Sequence, residues 1–197
     1  MKDGQNLKSR ICAVLVVILV IASAAIYVHA RSTASKLEGA YKAALVSSRD
    51  QAFDALSCLV FNFKRLQYYA SEQNTDAVGL LQPIINMQYC ADQVSSYFKA
   101  LSAAKGSEDY LAAASSFQDL MAWAETLYQK IVNATIHNQS IKPILATINN
   151  NSTVINNFIN EIETLQKQLS SSDPTPQAAL QAAKAAREVT NTIPVDP

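Results

Sequence analysis

Few residues in this chain have the types and spacing that metal or acid–base chemistry requires. The sequence contains two histidines, His29 and His137, and they lie far apart. Metal ions are usually held by His, Cys, Asp and Glu side chains at short, regular spacings, and the sequence shows no such group. Glu161 and Glu163 are two positions apart, so on a helix they point to different sides. We therefore predict no metal site and no carboxylate pair.

Other catalytic and binding signatures are also missing from the sequence. Serines are plentiful, but none has the surroundings of a nucleophile, and the four glycines form no phosphate-binding loop. Three of the 16 Lys and Arg residues and one of the 16 Asp and Glu residues precede position 31, which leaves 13 basic against 15 acidic residues. Basic residues do not cluster with aromatics. We expect no enzyme activity, no cofactor and no nucleic-acid binding.

Cys58 and Cys90 are candidates for a disulfide. They lie 16 residues on either side of position 74, the middle of a predicted turn between two helices. A bridge between them would close a loop of about 31 residues and stabilise the fold by roughly 3–4 kcal/mol. However, packed helix axes stand about 8–10 Å apart, whereas bridged Cα atoms lie within about 7 Å. Buried free thiols are the alternative.

Aromatic side chains offer two interpretations. They could line a ligand cleft between helices, or they could pack in the core. The residues concerned are Trp123, Tyr68, Tyr69, Tyr89, Tyr97, Tyr110 and Tyr128.

An apolar run near the N-terminus predicts where the protein resides. Residues 11–28 (ICAVLVVILVIASAAIYV) carry no charge and no proline, and as a helix they would span about 27 Å, close to the thickness of a bilayer core. We predict a transmembrane anchor at residues 11–30, after a short basic cytoplasmic segment at 1–10, with the bulk of the chain extracytoplasmic. A cleaved signal peptide is the alternative, because Ala22–Ala24 and Val28–Ala30 resemble cleavage sites.

Heptad patterning predicts an all-α fold. Apolar residues recur in steps of three and four over residues 41–70, 80–101, 114–131 and 141–169, as in helices that pack along one seam. Short connections would join them into an antiparallel up-down-up-down bundle at residues 31–171. Gly106 and Ser107 are expected to end one helix and begin the next. Residues 172–197 read as a flexible Pro/Ala-rich tail, although 177–188 could form a short helix with little to bury.

Asn151 is a polar residue on the apolar seam of the fourth segment. A single polar residue at such a position can fix helix register or oligomeric state. Alternatively, it marks a point where the helix frays, since Asn149–Thr153 is a weak helix-forming run.

The order of a short basic start, one membrane span and an external helical domain, from about residue 8 to 170, resembles the LemA-like proteins of bacterial envelopes. Those proteins carry a basic pair followed by Asp-Leu-Ile-Pro-Asn-Leu, whereas residues 62–67 here read NFKRLQ. The resemblance implies an envelope role and transfers no functional residue.

Together these features lead us to expect a membrane-anchored interaction module of the cell envelope. It would bind the bilayer through residues 11–30, and another envelope protein or a second copy of itself through the bundle. Two alternatives remain: an extracytoplasmic sensor that binds a small molecule, and a secreted helical protein if the N-terminal segment is cleaved.

Overall fold

The computed structural model describes the backbone of residues 3–72 and 76–194, and the side chains of those residues except 3–22 and 25. Across these residues every regular element is a helix, which confirms the all-α prediction. The helices are α1 (Asp3–Ser71), α2 (Ala77–Lys105), α3 (Glu108–Ile136), α4 (Lys142–Asn150), α5 (Ser152–Leu169) and α6 (Pro176–Thr192).

The chain divides into two units, Met1–Ala44 and Leu45–Pro197. In the first unit, the side chains of residues 26–44 are all exposed. Lys42 donates to Glu38 at 2.7 Å one turn away, and this bond, followed by the lysine charge, lowers the pKa of Glu38. The bundle unit therefore begins at Leu45, not at the predicted residue 31, because residues 31–44 bury no side chain.

The predicted membrane anchor is not supported by the described residues. Among the helices that the structure describes, none contains a stretch long and apolar enough to cross a bilayer. Most of the predicted span, residues 11–22 and 25, lies outside the described side chains. The anchor at residues 11–30 thus stays a prediction.

Within the second unit, α1, α2 and α3 alternate in direction. Cys58 of α1 meets Cys90 of α2, and Asn62, one turn later, meets Asn86, one turn earlier. Across the next pair of helices, Ser95 donates to the carbonyl of Ala114 at 2.9 Å, and Phe98 stacks on Tyr110 and Phe117. Gly106 makes the turn between α2 and α3 with a φ of 62°, as its position predicts.

The core joins α1, α3 and α5 through aromatic rings. Phe63 lies 6.1 Å from Trp123 and 4.8 Å from Phe158, measured between ring centroids. At the surface, Lys64 pairs with Glu163 at 2.9 Å. Large apolar side chains are buried along one stripe of each long helix, as the heptad pattern requires.

The C-terminal segment is not a flexible tail over its described length. Residues 176–192 form α6, which packs on α3 and α5. Its buried face consists of small side chains, namely Ala178, Ala179, Ala182, Ala183, Ala185, Ala186 and Val189. Methyl groups allow two helix backbones to approach closely, so a helix with little apolar surface can still fill a groove. Over 176–192 the structure therefore shows the helical alternative and not the flexible tail, with a face to bury that the sequence did not predict; residues 195–197 lie outside the described residues.

The predicted fourth helix is divided in two. α4 ends at Asn150 and α5 begins at Ser152, with Asn151 between them at φ −104° and ψ 21°. Over its described residues, the second unit therefore contains the four predicted helical segments, the last of them divided into α4 and α5, and a fifth helical segment, α6.

Candidate functional site

The structure joins Cys58 and Cys90 in a disulfide between α1 and α2. Their Cα atoms are 6.3 Å apart, inside the usual range for a bridge. The 8–10 Å spacing of helix axes does not prevent the bridge. Cα atoms lie about 2.3 Å off each axis, and those at the contact face each other, so they are closer together than the axes are. Cys90 is 5% exposed, whereas Cys58 is partly exposed.

A chain of side-chain amides lies beside the disulfide. Asn62 is 2% exposed, and its Nδ2 donates to the carbonyl of Cys58 at 2.7 Å and lies 3.3 Å from the Cys58 Sγ. Its Oδ1 accepts from Asn86 Nδ2 at 3.4 Å, and Asn86 Oδ1 accepts from Gln82 Nε2 at 2.9 Å. These amides bridge two helices, so they can fix the register of the α1–α2 hairpin.

Asn151, the residue for which the sequence suggested a register role, is placed differently. It is half-buried at the break between α4 and α5, and its Nδ2 donates to the carbonyl of Thr147 at 2.8 Å. That bond lies within its own segment, and the helix interruption matches the alternative interpretation of the Asn149–Thr153 run. Asn62 and Asn86 make the cross-helix contact, and Asn62 follows Cys58 by one helical turn, which was the available sequence signal.

A polar cluster around Asp173 fastens the start of α6 to α2 and α3. The Asp173 carboxylate accepts from the Tyr97 hydroxyl at 3.2 Å and from Lys105 Nζ at 2.9 Å. The Tyr110 hydroxyl donates to the carbonyl of Pro174 at 2.7 Å. Burial, and then the Asp173 charge, raise the pKa of Tyr97; burial is also the main cause that raises the pKa of Tyr110. Both hydroxyls therefore remain protonated donors at neutral pH.

The other end of α6 is held by the single tryptophan. The buried Trp123 donates from Nε1 to the carbonyl of Ile193 at 2.9 Å. Trp123, Tyr97 and Tyr110 are buried, whereas Tyr68 and Tyr89 are exposed. The aromatics thus divide between core and surface, and those three buried rings pack against neighbouring residues.

An open groove of about 400 Å³ lies between the end of α3 and the start of α4. Ala134, Pro143 and Ile144 contribute apolar lining, and amide and hydroxyl side chains surround them. No cluster of three or more potential metal ligands occurs among the described residues.

Several large apolar side chains of the α1–α2 hairpin are exposed. We call this surface the hairpin face; it comprises Phe61, Tyr68, Val78, Ile85 and Tyr89. Phe61 and Tyr68 are seven residues apart on α1, and the other three recur at steps of seven and four on α2, so each set follows one side of its helix. The Arg65 guanidinium lies 5.8 Å from the centroid of the Phe61 ring.

Comparisons with protein-family models, with curated proteins and with solved structures gave no match to this chain. The functional argument therefore depends on the geometry above.

Proposed function

We propose that the protein is a membrane-anchored, extracytoplasmic helical bundle that serves as a protein-interaction module of the cell envelope. The uncharged run at residues 11–28 would provide the anchor.

The disulfide is the observation that carries the extracytoplasmic placement. Disulfides persist in oxidising compartments and are rare where thiol systems keep cysteines reduced. Cys58 and Cys90 are both in the bundle, so the bundle would lie on the oxidising side. This supports the predicted orientation, with the bundle extracytoplasmic.

The hairpin face supports the interaction role. Contiguous exposed apolar surface in a soluble domain commonly marks a binding surface for another protein, and aromatic residues with Arg are enriched at such interfaces. Phe61, Tyr68 and Tyr89 are each more than half exposed. The partner would be another envelope protein that covers these rings.

Fractionation of the full-length chain tests the anchor. An anchored protein stays with membranes in alkaline carbonate, and protease added outside spheroplasts digests residues 31–197. The intact mass starts at Met1 when the segment is retained and near Arg31 when it is cleaved. Release of the uncleaved protein by carbonate would contradict the proposal, and a cleaved, released product would instead favour the secreted alternative.

Cross-linking in intact cells tests the interaction role. A Phe61→Ser, Tyr89→Ser double variant should lose a specific cross-linked species that the native chain forms. Leu111→Ser is the matched control, because Leu111 is also an exposed apolar residue but lies on α3. Equal loss in both variants, or a native chain that forms no cross-linked species, would count against the hairpin face.

A second candidate, a ligand-binding bundle, is favoured by the groove between α3 and α4. A thermal-shift screen on the full chain would reveal a ligand that raises the melting temperature. An Ile144→Glu substitution in the groove should abolish that increase, and Leu111→Ser should leave it unchanged.

A further inference from the structure

The two cysteines of the disulfide differ in exposure and in surroundings. Cys90 is 5% exposed on the inner side of the hairpin, whereas Cys58 is partly exposed. An external thiol can therefore reach Cys58 more readily than Cys90. In thiol–disulfide exchange, the sulfur that the attacking thiolate can reach is the one that forms the mixed disulfide.

A buried amide lies beside the Cys58 sulfur. Asn62 Nδ2 lies 3.3 Å from the Cys58 Sγ. The amide orientation is consistent with its neighbours, because Asn62 Oδ1 accepts from Asn86, and Asn86 in turn accepts from Gln82. Once the disulfide is reduced, an N–H group at this distance would stabilise a thiolate more than a thiol. The backbone carbonyl of Asn86 is more distant, at 3.8 Å from the same sulfur.

Charged side chains are sparse around this position. On α1 the nearest along the same side are Asp54, one turn before Cys58, and Arg65, two turns after it. On α2 the residue that contacts Cys58 and Asn62 is Asn86, which carries no charge. The Asn62 amide is thus the close polar group at the sulfur.

We propose that Cys58 is a thiol–disulfide exchange site that reacts with the cysteine thiols of a partner protein. A partner thiolate attacks the Cys58 Sγ, a mixed disulfide forms, and the Cys58–Cys90 bond breaks with its electron pair on Cys90, which takes up a proton. A second partner thiolate then attacks the partner's sulfur of the mixed disulfide, and Cys58 leaves as a thiolate next to Asn62. The partner dithiol is oxidised to a disulfide, and the Cys58–Cys90 disulfide is reduced to two thiols.

The exposed rings beside Cys58 give such a partner a place to dock. Phe61 lies three residues after Cys58, and Tyr89 immediately precedes Cys90. Both belong to the hairpin face, so a protein held there would bring its thiol near Cys58. The exchange activity goes beyond the proposed function and does not depend on the membrane anchor, since it can be measured on the chain wherever the chain resides.

Thiol reactivity in single-cysteine chains tests the role of Asn62. In a Cys12→Ser background, the Cys90→Ser substitution leaves Cys58 as the single cysteine. The pKa of Cys58 is measured from thiolate absorbance and from the alkylation rate as a function of pH. It should lie below the ordinary value of about 8.5. Adding Asn62→Leu should raise the pKa of Cys58. Each unit of increase lowers the thiolate fraction roughly tenfold at a pH below that pKa. Asn160→Leu, an exposed site on α5, is the matched control and should change nothing.

Folding of the variants is checked by circular dichroism and by the fluorescence of Trp123. If Asn62→Leu does not fold, Asn86→Leu provides a second variant, because it removes the neighbour that orients Asn62. A Cys58 pKa at or above the ordinary value, or one that neither substitution raises, would overturn the role of Asn62.

Glutathione identifies the sulfur that is attacked. The oxidised Cys12→Ser chain is incubated with reduced glutathione, quenched with acid and digested, and the adduct is located by mass spectrometry. We expect the adduct on Cys58 in large excess over Cys90. Adducts mainly on Cys90, or a disulfide that forms no adduct until the chain is unfolded, would show a purely structural bridge and refute the proposal, whatever the outcome of the membrane experiments.

Discussion

Removal of the disulfide by Cys58→Ala with Cys90→Ala should strongly destabilise the bundle. The two cysteines are 32 positions apart, and for a loop of that length the chain-entropy model gives about 3.7 kcal/mol at 25 °C. Folded domains are stable by only about 5–15 kcal/mol, so the variant should lose a large part of the total. Reduction of the native chain should have a similar effect, because it releases the same loop.

Urea unfolding of the full-length chain in mild detergent measures this loss. Trp123 is the single tryptophan and lies in the core, so its fluorescence reports the bundle. With an m value of about 2 kcal/mol/M, the midpoint should fall by about 2 M in the double variant and in the reduced native chain.

Thiol titration provides the control for this experiment. The unreduced, denatured native chain should show one free thiol, from Cys12, out of three cysteines. Three free thiols, with a midpoint that reductant leaves unchanged, would refute the reasoning. A single thiol with an unchanged midpoint would show that the bridge exists but that the loop-entropy magnitude does not apply.

Three further predictions concern other parts of the bundle. The folded state raises the pKa of Tyr97. The contribution of the Tyr97 hydroxyl to stability is therefore complete below about pH 10 and is lost as the pH rises further. Tyr97→Phe should reduce this alkaline loss of stability, measured by urea unfolding at pH 8–11. Trp123→Phe leaves the carbonyl of Ile193 without its donor and should cost about 1–3 kcal/mol, with faster amide exchange at the end of α6. Gly106→Ala should destabilise by about 1 kcal/mol because of its positive φ, whereas Gly39→Ala, in an uncrowded helical position, should raise helix stability by up to about 1 kcal/mol.

The α2–α3 turn shows where sequence reasoning succeeds. A glycine at the end of one apolar-periodic segment, followed by Ser107 and two acidic residues, indicates a helix end and a helix start. The structure places the boundary at Gly106, with Ser107 before α3. These signals are local, because capping and backbone conformation depend on neighbours within one turn.

The candidate site shows where sequence reasoning does not suffice. Two cysteines equidistant from a turn indicated a possible bridge, but whether they meet depends on how closely two helices pack. The role of Asn62 depends on Asn86 and Gln82 from the other helix, and Asp173 carries no sequence signal that distinguishes it from a linker residue. The Asn151 pattern gave a choice between register and fraying, and the sequence could not decide between them.

The sequence by itself determined that the chain is helical, approximately where its helices lie and where the apolar run near its N-terminus falls, because periodicity and capping act over a few residues. Only the tertiary structure decided that residues 176–192 dock and that Cys58 meets Cys90. Both outcomes depend on the distance between helix backbones, which is set by side chains distant in the sequence. An alanine face shows little hydrophobic signal along the chain, yet it becomes a packing surface when a neighbouring helix approaches closely enough.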